Sequence, residues 1–139
     1  MIKYNSSGTR QWTKPLGTAQ NDFATGVATD SSGNVYVAGV TYKDLDGNTS
    51  AGSADLFVVK YNSSGTKQWT KQLGTSGRDH ARGVATDSSG NVFVAGDTYG
   101  GLDGNTNTGG SDLFVVKYNS SGTKQWTKQL GSTSQNYYY

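Results

Sequence analysis

A stretch of 57 residues recurs along this chain, and the repeat constrains the fold more than any other feature of the sequence. Residues 3–59 and 60–116 are identical at 42 of 57 aligned positions, and residues 117–131 then repeat 60–74 without a change. The chain therefore holds about two and a half copies of one unit. A repeat of this length is typically one supersecondary unit that buries its apolar surface by stacking against its neighbours.

Each unit reads as four short strands. Two β-prone runs joined by "SSGN" predict one hairpin, and two more runs joined by "SSG" predict a second. The third run is apolar on both faces, whereas the fourth alternates, with Trp69, Lys71 and Leu73 on one side. The third strand is therefore predicted to be buried on both faces and the fourth to be an outer strand, where Pro15 of the first copy is tolerated. The predicted strands are 26–30, 35–42, 55–62 and 66–74, and then 83–87, 92–99, 112–119 and 123–131.

Composition supports β-structure and argues against several functional classes. The chain has 20 Gly and no Glu, so all ten acidic residues are Asp, which suits turns better than helices. The net charge is +2 with scattered lysines, so nucleic acid is not an expected partner. No apolar run approaches the roughly 20 residues of a membrane span, and no signal peptide is recognised. Cys is absent, which removes disulfides and thiolate metal sites.

Three phrases, "GVATDSSGNVYVAG", "LDGNT" and "DLFVVKYNSSGTKQWTKQLGT", resemble the SBBP-type β-propeller repeat, and the resemblance covers the chain except 132–139. It implies blades of four antiparallel strands, with the "GVATD" strands innermost and the Trp-bearing strands outermost. The family occurs in bacterial, largely secreted or surface-associated proteins, which implies that localisation. It has no common catalytic residues, so the resemblance implies an architecture rather than an activity.

The expected fold class is all-β, with propeller blades of four antiparallel strands that are incomplete in one chain. We expect an N-terminal half blade made of one outer hairpin at 1–22, blade 1 at 23–74, blade 2 at 75–131 and a C-terminal tail at 132–139. Ten strands cannot close a ring, and each blade is expected to leave an apolar face bare. The sequence therefore predicts a homo-oligomer, in which a two-fold dimer joins the two orphan outer hairpins, or an excerpt of a longer chain. The near identity of the copies also fits an engineered or recently duplicated origin.

The loop at 43–55 is a candidate calcium site, because Ca²⁺ takes several oxygen ligands from a flexible backbone. In the second copy Gly101 replaces one of the acids, and no Glu is available for bidentate coordination. Asp-Gly and Gly-Asn are also ordinary turn sequences. Turn geometry is therefore the favoured interpretation, calcium is the alternative, and no other cofactor is expected. The candidate ligands are Asp44, Asp46, Asn48 and Asp55, and then Asp103, Asn105 and Asp112.

No set of residues predicts catalysis. His80 is the only histidine, and Phe23 takes its place in the other copy, which favours a packing or loop role over a general base. The aspartates that could pair for acid chemistry recur at equivalent positions of both copies, which favours turn caps. We therefore expect no enzyme. These recurring pairs are Asp22/Asp79, Asp30/Asp87 and Asp55/Asp112.

Aromatic residues beside polar loops leave a binding function open. Tyr42 and Tyr99 precede the long loops, and with Asn48 and Asn105 they could form shallow glycan sites. The alternative interpretation, which we favour, is that Tyr and Trp cover strands and fill the space between blades. The sequence thus predicts a non-catalytic, self-assembling scaffold or binding module, with a lectin-like or adhesive cell-surface protein that binds glycans as the alternative.

Overall fold

The computed structural model describes residues 1–133, so most of the predicted tail lies outside the described residues. In this described part of the chain, ten strands alternate with turns and loops, and one 3-10 turn, Leu102–Gly104, follows the eighth strand. Within residues 1–133 no helix has the length and apolarity that a bilayer crossing requires. The strands are β1 Ile2–Tyr4, β2 Arg10–Thr13, β3 Asp22–Thr29, β4 Val35–Thr41, β5 Asp55–Tyr61, β6 Lys67–Leu73, β7 Asp79–Thr86, β8 Val92–Thr98, β9 Asp112–Tyr118 and β10 Lys124–Leu130.

The strands form three antiparallel sheets that do not close into a ring. Strands β3 to β6 form blade 1 in sequential order, β7 to β10 form blade 2, and β1 pairs only with β2. We call the pair β1–β2 the N-terminal hairpin. The predicted four-stranded antiparallel units are confirmed, and the Trp-bearing strands β6 and β10 lie at sheet edges as predicted.

The first strand of each blade is longer than predicted. It begins at Asp22 in blade 1 and at Asp79 in blade 2, four residues before the predicted start in each case. The pairing of β3 with β4 shifts between Ala24 and Gly26, and β7 with β8 shifts at the equivalent place. Because a bulge of this kind interrupts the two-residue alternation, periodicity could not reveal the first part of the strand.

The core lies on both faces of blade 1. One cluster joins blade 1 to blade 2, and a second joins blade 1 to the N-terminal hairpin. Strand β5 is buried on both faces as predicted, and β4 is buried along its whole length as well. The second cluster contains Val35, Val37, Leu45, Phe57, Val59 and Tyr61, with Met1, Trp12 and Leu16 packed against it.

One turn design closes all three outer hairpins. In the N-terminal hairpin the Asn5 side-chain oxygen accepts hydrogen bonds from the backbone N–H groups of Ser7 (3.0 Å) and Thr9 (2.9 Å). Gly8 has φ of 78°, a conformation that favours glycine. Asn62 and Asn119 make the same bonds in the other hairpins. These asparagines are therefore explained by turn structure.

The placement of Pro15 inside a strand was wrong. Strand β2 ends at Thr13, so Pro15 follows it. The equivalent Gln72 pairs with Phe57 across the sheet and uses its side chain to hold a loop. Proline has no N–H for a sheet ladder and no amide side chain, so the strand stops before it.

Candidate functional site

The junction between blades 1 and 2 shows which side chains hold neighbouring sheets together. Lys60 Nζ and Trp69 Nε1 both donate to the backbone carbonyl oxygen of Ser120, at 2.9 and 3.1 Å. The Trp69 ring lies against Tyr118, with 6.1 Å between centroids. An outer strand is thus bonded to the outer turn of the next blade.

The same junction occurs one repeat earlier. Lys3 Nζ and Trp12 Nε1 donate to the Ser63 carbonyl oxygen at 3.0 and 3.2 Å. The Trp12 ring stacks on Tyr61, with centroids 5.9 Å apart. Trp12 and Trp69 therefore have the structural role that the sequence suggested, and the junction is a repeated feature of the molecule.

The face of blade 2 that points away from blade 1 carries the lysine and the tryptophan of the same repeat, and no neighbouring sheet covers it in the described structure. Leu113 is exposed, although the equivalent Leu56 of blade 1 is fully buried. Leu130 is 70% exposed, and Trp126 is 37% exposed. This face, which we call the open face of blade 2, also contains Phe93 and Lys117, whose ammonium lies 5.5 Å from the Phe93 ring centroid.

Blade 1 is covered better than predicted on its other side. The N-terminal hairpin covers its outer half, and only the inner half stays open, since the hairpin has no inner strands. A cavity of about 760 Å³ occupies this place, and Val27 is exposed in it. The expectation of a fully bare face therefore applies to blade 2 and not to blade 1.

The loop that was a candidate calcium site is organised by protein groups. Asp46 Oδ2 accepts from Lys67 Nζ at 2.7 Å and from Thr70 Oγ1 at 2.6 Å. Burial alone would raise the pKa of Asp46, but Lys67 and Thr70 outweigh it and lower that pKa. Asp44 Oδ1 accepts from the Ser50 N–H at 2.7 Å. Through the contacts of Asp46, the loop is bonded to the outer strand of its own blade.

The remaining candidate ligands of this loop, Asn48 and Asp55, are bonded to other groups of the protein. Asn48 Nδ2 donates to the Leu45 carbonyl at 2.8 Å, and Asp55 Oδ2 accepts from Ala51 N–H and the Gln72 amide, both at 2.8 Å. Asp55 Oδ1 is buried without a hydrogen-bond partner among the described residues. Residues 1–133 contain no group of three or more Asp, Glu, His or Cys side chains that could hold a metal ion. Calcium binding stays the untested alternative.

The second copy repeats these contacts. Asp103 accepts from Lys124 Nζ at 2.7 Å and from the Thr127 hydroxyl. Asn105 Nδ2 donates to the Leu102 carbonyl at 2.7 Å, and Asp112 Oδ2 accepts from the Gln129 amide at 3.0 Å. The loop design is therefore kept even though Gly101 replaces an acid, which supports the turn interpretation.

The aromatic residues proposed for glycan binding are exposed. Tyr42 is 40% exposed and lies edge-on to Phe23, with 6.3 Å between ring centroids. Tyr99 is 51% exposed. The amide groups of Asn48 and Asn105 donate to backbone carbonyls of their own loops and of the outer strands. Glycan binding stays a prediction.

The recurring aspartates have structural roles. Asp79 Oδ1 accepts from the Thr98 hydroxyl at 2.5 Å, and its Oδ2 accepts from the Thr75 N–H at 2.6 Å. Asp22 makes the equivalent bonds in blade 1. Asp30 binds the N–H groups of its own turn and the Tyr36 hydroxyl; burial opposes ionisation, but these hydrogen bonds lower the pKa of Asp30. None of these carboxylates is paired with another acid in the described contacts.

A charged cluster in blade 2 was not predicted as a unit. Arg82 Nε donates to the buried Asp97 Oδ1 at 2.6 Å, and Arg82 Nη2 lies 3.3 Å from His80 Nδ1. Burial lowers the pKa of His80, Arg82 lowers it further and Asp97 raises it. His80 Nδ1 also lies 3.5 Å from Asp97 Oδ2, so the tautomer of the ring sets whether Nδ1 donates to Asp97 or accepts from Arg82. The available signal was a paired change between the copies, because Thr25 and Val40 stand where Arg82 and Asp97 stand.

A family model described as a beta-propeller repeat, SBBP, matches residues 11–46 and 68–103. Among curated proteins, the regulatory protein FlaEY of Caulobacter vibrioides is 30% identical over 147 residues, which include 95% of this chain and 15% of that protein. A protein of Acanthamoeba polyphaga mimivirus described as the uncharacterized WD repeat-containing protein L264 is 28% identical over 162 residues, with 95% of this chain and 12% of that protein covered. The chain thus spans only a small part of the length of these relatives.

Proposed function

The chain belongs to the SBBP family of β-propeller repeats, and from that premise we propose that it is a non-catalytic propeller module that associates with further copies of itself to form a scaffold or binding surface. The observation that carries the proposal is the imbalance between three outer hairpins and two inner hairpins in the described structure. The two ends of the stack consequently present side chains that pack between sheets elsewhere in the same molecule.

The energetics favour covering the open face of blade 2. Leu113, Trp126 and Leu130 are large apolar side chains on one surface. Burying a side chain of this size contributes about 1.5–3 kcal/mol. A contiguous exposed apolar surface of this kind usually marks an interface in a protein that remains in solution. Self-association would remove it from water with the side-chain pairs already used inside the chain.

A binding role also agrees with the polar groups and with the relatives. Asp79, Asp97 and Asp112 are buried, and each is bonded to a threonine, glutamine or arginine of its own blade. These hydrogen bonds give the three carboxylates structural partners within blade 2. The relatives are described as a regulatory protein and a WD repeat-containing protein, which agrees with a binding role.

The test is the molar mass in solution. Light scattering coupled to size exclusion should give a mass that is a multiple of the 14.7 kDa chain and that falls on dilution. A surface variant on blade 1, Gln68→Arg, should behave as the wild type. A chain that stays at its monomer mass up to high micromolar concentration would remove the proposal.

Glycan recognition is the second candidate function, and the exposed rings of Tyr42 and Tyr99 are the observation in its favour. An aromatic face stacks on the apolar face of a sugar ring, and repetition would add avidity. A glycan array should be probed with the wild type and with a Tyr42→Ala/Tyr99→Ala double variant. Binding that is equal for the two proteins would exclude these residues.

A further inference from the structure

Every internal junction uses four residues of the repeat. A lysine and a tryptophan of one sheet donate to a serine carbonyl of the next, and the tryptophan ring lies on a tyrosine of that next sheet. Two complete sets exist in the described structure. They are Lys3, Trp12, Ser63 and Tyr61, and then Lys60, Trp69, Ser120 and Tyr118.

Half of a third set lies on the open face of blade 2. Lys117 and Trp126 occupy the positions of Lys60 and Trp69, one repeat later. Within residues 1–133 neither side chain has a carbonyl acceptor, and the one aromatic ring against the exposed Trp126 ring is Phe93. The donors and the aromatic ring are therefore in place without the turn that receives them.

The other half of this set lies at the opposite end of the chain. Ser6 and Tyr4 are equivalent to Ser63 and Tyr61, but Tyr4 is 55% exposed whereas Tyr61 is buried. The turn glycines agree with this. A Cβ on Gly65 or Gly122 would stand 2.8 Å from the tryptophan of the preceding sheet, whereas a Cβ on Gly8 would meet nothing within 4 Å.

We propose that the open face of blade 2 binds the N-terminal hairpin of a second copy. Trp126 stacks on Tyr4 of the second copy, and Lys117 Nζ and Trp126 Nε1 donate to its Ser6 carbonyl oxygen. The proposal rests on the self-association proposed above and names the surfaces that carry it. Its support is continuity with the internal junctions, since the chain already joins identical residues to each other twice.

This interface is heterologous, because it joins two different surfaces of the chain. It differs from the two-fold dimer predicted from the sequence, in which two orphan hairpins pair with each other and leave Trp126 bare. Heterologous contacts build a ring if the rotation closes and an open chain if it does not. The inner half of the new junction stays without a hairpin, so a cavity like the one beside blade 1 would remain there.

The decisive experiment uses two variants that each disable one surface. Trp126→Arg removes the stacking face of blade 2 and leaves the hairpin intact, and Tyr4→Arg does the reverse. Each variant alone should associate at least about 30-fold more weakly than the wild type, as for loss of an aromatic hot spot. An equimolar mixture should form a pair of twice the monomer mass, since one intact interface remains.

Controls separate this proposal from its alternatives. Leu130→Arg changes a different exposed residue of the same face and should weaken association to a similar extent. It takes the place of Trp126→Arg if far-ultraviolet circular dichroism shows that Trp126→Arg folds poorly. Wild-type association that Trp126→Arg leaves unchanged overturns the head-to-tail interface but keeps self-association. The head-to-tail interface is also overturned if tryptophan fluorescence shows that Trp126 is buried in the dilute monomer and becomes exposed when residues 134–139 are deleted. In that case the chain's own tail covers the open face. A strictly monomeric wild type would instead remove the self-association on which this interface rests.

Discussion

Replacing Trp69 and Trp126 by alanine in turn tests the assignment of the blade junctions, because the two residues lie in identical segments of sequence. Trp69 is partly buried against Tyr36 and Tyr118 and donates to Ser120. Removing about 100 Å² of buried ring at about 25 cal/mol/Å² costs about 2.5 kcal/mol. The lost hydrogen bond adds about 1 kcal/mol. The total of about 3–4 kcal/mol lies in the range typical of Trp→Ala in a core.

Trp126 lacks this environment in a single chain. Among residues 1–133 its one aromatic neighbour is Phe93, at 6.2 Å between ring centroids, and the side chain is 37% exposed. Trp126→Ala should therefore lower the free energy of unfolding by about 1 kcal/mol when the protein is dilute enough to be monomeric. Urea titrations followed by far-ultraviolet circular dichroism measure both variants under the same conditions. Equal losses for the two substitutions would refute the argument from repeat equivalence and burial.

Further predictions concern the inner strands and the loops. Gly96→Ala should cost at least about 3 kcal/mol in unfolding titrations, because its Cβ would stand 1.9 Å from the His80 carbonyl oxygen. Gly83→Ala is the matched control, since nothing lies within 4 Å of that Cβ and little change is expected. His80 should titrate by NMR below its ordinary pKa of 6.5; Arg82→Ala should raise this pKa and Asp97→Asn should lower it, and shifts of the opposite sign would contradict the cluster. In the unfolded chain His80 has its ordinary pKa and binds a proton more tightly than in the folded chain. The stability that the neutral His80 ring contributes is therefore complete above about pH 6.5 and is lost as the pH falls toward the folded pKa. Calorimetric titration with Ca²⁺ should give no saturable heat, because a lysine already neutralises the central carboxylate of each long loop.

Strand order and burial followed from the sequence because they depend on local patterns. The run "LFVV" is apolar without alternation, and β5 is buried on both faces. The alternation predicted Trp69 and Leu73 on one side of their strand, and both pack against the core cluster that joins blade 1 to blade 2. The repeat then fixed the equivalence of the sheets, because identical segments in the same order form the same pairings.

What escaped prediction depends on contacts between distant positions. The role of Asp46 is set by Lys67, 21 residues away and across a hairpin, so the loop alone could not separate a turn from a calcium site. The bond between Arg82 and Asp97 crosses two strands in a register that a bulge shifts. Blade 1 kept only its inner half open because the N-terminal hairpin docks by side chains such as Trp12, which no pattern within one strand reveals.

The identity of residues 60–74 and 117–131 has a consequence for how the chain folds. The two outer hairpins are chemically interchangeable, so neither side-chain packing nor hydrogen bonding tells β4 which of them is its own partner. Only the length of the connecting loop selects the correct pairing, through the smaller entropy loss of the shorter closure. Folding should therefore show a slow phase in which exchanged hairpins are released, a kind of misassembly that repeat proteins share. Refolding with altered loop lengths between β4 and β5 should change the weight of that phase, and unfolding titrations of the same variants control for the native contacts of Leu45 and Asp46 that the change also affects.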